Sequence, residues 1–250
     1  MATPTGGMVI AARIYWTAVA LIGTVSFIVS CGIAVTQEGN GGWLNGLIFT
    51  LSYFTVWSNI VTFIANWQLA INPTRDGRYF RWFRLTSLVM ITVTGLVYAI
   101  LLAPTAHPYG LGVYTNIGYH YIVPWATVLG FLIFGPRPRF NPGNVWSMLL
   151  IPVIWLVYTL LRGLMLTSPP PDAPDTTPST PQHWYPYPFI DVNDPSAIIP
   201  GLEFGGYTGV TVNIVVILLL GLFFGFLFVG LDRLLSRGEK PASLAGQAAA

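Results

Sequence analysis

The chain has 250 residues, of which 54% are hydrophobic and 8% charged, and a mean hydropathy of +0.64; lipid rather than water is the solvent that suits such a composition. A formal charge of +2 gives no reason to expect a nucleic-acid partner, and the single cysteine, Cys31, excludes an intramolecular disulfide, a Cys-based zinc site and a CxxC redox pair.

Apolar runs long enough to cross a bilayer need about 20 residues. They fall at roughly 10 to 35, 44 to 67, 84 to 103, 117 to 134, 146 to 166 and 209 to 231. The expected fold is therefore all-α, a polytopic membrane protein of six transmembrane helices forming one domain over 1–235. The N-terminal MATPTGGMVIAARIYW lacks a charged region ahead of a short apolar stretch, so the first run reads as a retained helix and not a signal peptide.

Orientation follows from the basic residues, which concentrate in short cytoplasmic loops. Arg13 precedes the first run, and Arg75, Arg78, Arg81 and Arg84 cluster between the second and third. Arg137 and Arg139 lie between the fourth and fifth, and Arg233, Arg237 and Lys240 follow the sixth. The opposite connections carry Glu38, Asp172, Asp175, Asp191, Asp194 and Glu203 with no Lys or Arg. Both termini are expected in the cytoplasm and the protein in the cell (plasma) membrane.

The last outer connection, 167–208, has two compositions. SPPPDAPDTTPSTP reads as an extended Pro-rich spacer. HWYPYPFIDVNDP is too apolar to stay in water, so 183–195 is expected to fold back as an aromatic lid over the outer mouth of the bundle. The tail 236–250 is expected to be disordered.

Arg162 in VYTLLRGL is the one basic residue off the cytoplasmic side, and burying it unpaired costs several kcal/mol. It either serves the site, snorkels to the outer headgroups, or pairs with Asp191 or Glu203. His120 in GYHYIVPW is the only histidine inside a span, where it lines a cavity or is a hydrogen-bonded packing residue. In FTLSYFTVWSNIVTF, Ser52, Thr55, Asn59 and Thr62 share one helical face, which is also what ordinary packing glue looks like in a membrane.

Counting from the cytoplasmic ends at about 1.5 Å per residue, Thr55 lies about 18 Å up, His120 about 21 Å, Tyr98 about 22 Å, and Tyr158 and Arg162 about 18 and 24 Å. Asn213 lies somewhat further out. A hydroxyl, an imidazole, phenols and a guanidinium at one level would surround a polar pocket reachable from the outer leaflet. Threonine needs a base to become a nucleophile, neutral histidine is the usual one, and Arg162 or a tyrosine hydroxyl could stabilise an oxyanion.

The segments YFTVWSN, TGLVY, GYHYIVP, YTLLRG, WYPYPFIDV and GYTGVTVN together resemble the bacterial branch of the androgen-induced-gene-like membrane protein family, from the first helix to the LDR after the sixth. Animal members are six-helix hydrolases that cleave fatty acid esters of hydroxy fatty acids with a membrane-embedded threonine and histidine. The resemblance implies Thr55 as the threonine and His120 as the histidine. Here Asn59 follows Thr55 by four positions where the animal motif has three, and alignment on the asparagine would place Val56 at the nucleophile. The resemblance attaches no role to WYPYPFIDV.

The expected function is an intramembrane lipid-ester hydrolase taking an acyl ester from the outer leaflet. Thr55 and His120 are its catalytic pair, and Asn59, Tyr98, Tyr158, Arg162, Asp191 and Asn213 are candidates for substrate binding or oxyanion stabilisation. Neither a metal nor a cofactor is expected, since three dispersed histidines give no ligand spacing. A lipid-binding or transport protein, and a membrane scaffold whose aromatic segment docks a partner, remain the alternatives.

Overall fold

The computed structural model describes residues 6–36, 42–135, 140–165 and 183–236. Within them the regular structure is helical and no strand occurs. In chain order the α-helices are α1 (Gly6–Thr36), α2 (Trp43–Thr50), α3 (Phe54–Ile71), α4 (Arg78–Val97), α5 (Leu111–Ile117), α6 (Val123–Phe134), α7 (Asn144–Ser147), α8 (Leu150–Met165) and α9 (Gly206–Leu235). Wide π-helical turns at Tyr98–Leu102 and Gly118–Ile122 extend α4 and join α5 to α6.

Among the described residues, five helical stretches are long and apolar enough to cross a membrane: Gly6–Thr36, Arg78–Thr105, Leu111–Phe134, Asn144–Met165 and Gly206–Leu235. A sixth is obtained if α2 and α3 count as one span, and these two are bent by 80° at their junction. The run 44–67 is thus not one continuous helix as the sequence reading has it. Ser52 lies in the break and not on the face of Thr55, Asn59 and Thr62: its hydroxyl donates to the Ile48 carbonyl at 3.0 Å. Its own carbonyl accepts from Trp155 Nε1 at 2.9 Å and the Thr159 hydroxyl at 3.2 Å. Contacts from a distant helix replace the helical bonds the break gives up.

α4 is the central element. Leu85, Leu88, Val89 and Val93 pack against Phe131, Val145, Met148, Phe228 and Val229 from the surrounding helices. The outer helices turn apolar residues outward: on α1, Ile10, Ile14, Leu21, Val25 and Ile28 are exposed while Ala12, Trp16, Val19 and Ala20 are buried. A helix apolar all round, with its small residues inside, is what a lipid-facing position requires. α8 stands apart, its main backbone approach to another helix being to α3.

The aromatic segment is more than a cover. Tyr185, Tyr187, Phe189 and Ile190 are buried with Trp155 and Val210 in a core cluster of their own. Asn213 of α9 stitches the segment down: its Oδ1 accepts from Ile198 N at 3.0 Å, and its Nδ2 donates to the carbonyls of Phe189 and Ser196, each at 2.9 Å. Gly163 of α8 lets the Tyr185 ring lie directly on the helix, because a Cβ there would meet Tyr185 Cδ1 at 2.6 Å. The expected spacer and all of the expected tail but Ser236 lie outside the described residues.

Candidate functional site

The break before α3 makes the site. Thr55 falls in the first turn of a helix whose N-cap is Tyr53, so its N–H has no helical acceptor. That N–H donates to the Tyr187 hydroxyl at 3.3 Å, and the Thr55 hydroxyl lies 3.4 Å from the same oxygen. On its other side, Thr55 Oγ1 is 3.2 Å from His120 Nε2. The side chain at 55 therefore faces the imidazole, while its neighbour Val56 is buried at 3% exposure.

The tautomer of His120 follows from fixed groups. Its Nδ1 lies 3.2 Å from the Asn116 backbone carbonyl and 3.0 Å from the Asn116 side-chain oxygen. A carbonyl only accepts, so Nδ1 carries the proton and Nε2 presents a lone pair to the threonine hydroxyl. The Tyr98 ring stacks on the imidazole at 3.6 Å between centroids and 12° between planes. Both rings sit on the two π turns, where an extra residue per turn re-aims side chains, as is frequent at functional sites. Pro124 also lacks the N–H that would bond the His120 carbonyl one turn back.

A cavity with ≈ 940 Å³ of empty space, part of it open, runs inward from Thr55, Tyr98 and Tyr187 to Thr86, Met148 and Gly221 between α4, α8 and α9. Among the described residues, none that lines it is charged. Asn59 donates to the Thr55 carbonyl at 2.9 Å and the Tyr119 carbonyl at 3.4 Å, tying α3 to the π turn that carries His120.

The remaining candidates are engaged elsewhere. Tyr158 donates to the Ile48 carbonyl at 3.1 Å. Asp191 accepts from the backbone and side chain of Asn193 at 2.9 and 2.7 Å, closing a turn within the aromatic segment. Arg162, 6% exposed, lies over the rings of Trp184 at 4.6 Å and Phe49 at 5.6 Å. Among the described residues it has neither a hydrogen bond nor an ion pair with Asp191 or Glu203. Cation–π contact takes the place of a carboxylate.

Two residues of the site escaped the sequence reading. Asn116 had a visible signal, four residues before His120 in YTNIGYH and hence one turn away on the same face. Tyr187 had none, because nothing local indicates that WYPYPFIDV reaches the start of α3. Among the described residues no group of His, Cys, Asp and Glu is placed to hold a metal ion.

Fold and site together define an all-helical, membrane-embedded protein with a threonine, histidine and asparagine aligned at one end of an apolar cavity. Comparison of the chain with protein-family models, with curated proteins and with solved structures finds no match.

Proposed function

We propose that the protein is an intramembrane lipid-ester hydrolase in which Thr55 is the nucleophile and His120 its base. The 3.2 Å approach of the threonine hydroxyl to the unprotonated imidazole nitrogen carries the reading. The resemblance of YFTVWSN and GYHYIVP to the androgen-induced-gene-like hydrolases supports it. Thr55 Oγ1 attacks the ester carbonyl carbon as its proton passes to His120 Nε2. The tetrahedral adduct then expels the alcohol, which takes that proton. Water, deprotonated by His120, cleaves the acyl-threonine and regenerates both residues.

The adduct's oxyanion forms at a helix N-terminus, where backbone N–H groups and the macrodipole favour negative charge. The Tyr187 hydroxyl, which accepts from Thr55 N–H, has its own proton to offer. On this reading α2 and α3 form one broken span, six spans cross the plasma membrane, both termini are cytoplasmic, and the ester enters from the outer leaflet. The basic residues flanking the spans support that orientation.

Purified protein treated with a fluorophosphonate probe is expected to label at Thr55, and Thr55→Ala and His120→Ala to abolish labelling; labelling unchanged in both sinks the mechanism. The carbon-lined cavity favours a second reading, a lipid-binding protein without turnover. That reading predicts bound lipid in an unreactive wild type.

A further inference from the structure

The cavity's wall carries hydroxyl-bearing residues of the candidate site at one end only. Thr55, Tyr98 and Tyr187, the residues around the His120 imidazole, line one end of it, while further along the two hydroxyl residues on α4 are committed to protein oxygens. Thr86 donates to the Trp82 carbonyl at 2.9 Å and Thr94 to Ser58 Oγ at 2.7 Å. The Trp155 N–H is likewise used, by the Ser52 carbonyl. Nothing along the inner wall seeks a hydrogen bond with an occupant.

Length and entry are also set by the helices. One stripe of α4, with Val89, Val93 and Val97 at successive turns, forms the floor, faced by Leu156 of α8 and Ile217 of α9. From Thr86 to Tyr98 that floor is about 18 Å long, close to the roughly 15 Å of hydrocarbon in one leaflet. α8 and α9, which both line the cavity, make no extensive backbone contact with each other, which leaves room for a lipid chain to pass between them. At the inner end Gly221 adds no side chain; a Cβ there would have only Val89 Cγ1 within reach, at 4.0 Å. A larger residue at 221 fills space that is now empty.

We propose that the cavity is a slot for one unbranched acyl chain of about one leaflet's length, entering between α8 and α9, with its carboxyl end at Thr55 and His120 and its methyl end at Gly221. The missing side chain at 221 sets the longest chain accepted. The placement of the carboxyl end rests on the hydrolase reading; the slot and its length limit do not.

The test measures equilibrium binding of straight-chain fatty acids, from medium to very long, to full-length protein in uncharged detergent. A methyl-branched acid of matched length is the control. Wild type is expected to bind more tightly with chain length up to a plateau and to reject the branched acid. Gly221→Phe is expected to move the plateau to shorter chains and weaken the longest acid at least about tenfold, from methylenes left unburied; Gly221→Ala should stay near wild type. Val89→Phe closes the same end from α4 and replaces Gly221→Phe if that variant does not fold. In wild type, an acid with a photoreactive methyl end should crosslink near Met148 and Gly221. Crosslinks confined to the outward-facing Leu219 and Phe223, or a length profile indifferent to Gly221→Phe and Val89→Phe, overturn the slot. The fluorophosphonate result is read separately. Length-limited binding without labelling of Thr55 keeps the slot and rejects the hydrolase, while labelling with no length limit does the reverse.

Discussion

Thr55 meets two requirements that seldom coincide: its hydroxyl faces a histidine lone pair, and its backbone N–H, at a helix start, is spared from the helix and donates to the Tyr187 hydroxyl. His120 is oriented from behind by Asn116, whose side-chain oxygen and backbone carbonyl both face Nδ1. Asn116→Leu removes the shorter of these contacts and leaves the backbone one. It is expected to lower the rate of fluorophosphonate labelling about tenfold, the loss associated with an outer orienting partner, without the abolition expected of His120→Ala. A labelling time course on both variants checks this. Tyr187→Phe keeps the ring stacked on Phe189, 5.1 Å between centroids, and deletes only the hydroxyl. Leaving Thr55 N–H without its acceptor is expected to cost about 1–3 kcal/mol of stability. Losing the donor near the oxyanion should slow labelling by a factor on the order of 10². Both are read on one preparation by thermal unfolding and labelling rate.

The helices show what a sequence discloses and what it does not. Hydropathy marked the apolar runs, because lipid-facing helices must be apolar whatever their neighbours are. The break at Leu51 to Tyr53 was invisible: no Gly or Pro stands there, and it persists because Trp155 and Thr159, more than a hundred residues away, bond the Ser52 carbonyl. The same counting that grouped Thr55 with His120 also grouped Tyr158 and Arg162 with them. Level along the membrane normal says nothing about direction around a helix, and those two side chains point to α2 and the aromatic segment. The one-residue ambiguity between Thr55 and Val56 likewise needed coordinates, since it is a 100° question. At the scale of elements, the seating of the aromatic segment on α8 gives a sharp test. Gly163→Ala drives a Cβ against Tyr185, with Cδ1 at 2.6 Å and Cζ at 2.8 Å. Overpacking of this kind is expected to destabilise the protein by about 1–3 kcal/mol. Because Tyr187 follows two residues later, labelling of Thr55 should slow as well; a change in melting temperature with no change in labelling would uncouple the segment from the site.

For the whole molecule, the question is which end of the cavity faces outward. Arg78 and Arg81 at the start of α4 and Arg233 at the end of α9 belong to the basic side, whereas Glu203 precedes α9 on the side of Thr55 and the aromatic segment. If α2 and α3 make one broken crossing, the chain crosses six times and the basic ends share the cytoplasm. If α2 and α3 instead enter and return on one side, five crossings put Arg13 and Arg233 on opposite faces, against the tendency of short loops to hold their Arg inside. The distribution of charge therefore favours one of the two readings of one 80° bend, and labelling from either side of the membrane tests it. Cys31, the sole native thiol, is first replaced by Ser to give a silent background. In intact cells an impermeant maleimide is expected to label Glu203→Cys and to leave Arg78→Cys and Arg233→Cys untouched until the membrane is permeabilised. Labelling of Arg233→Cys from outside, with Arg13→Cys protected, would make the chain five-spanning. Equal protection of Arg13→Cys and Arg233→Cys makes it six-spanning and puts Thr55 within reach of the outer leaflet.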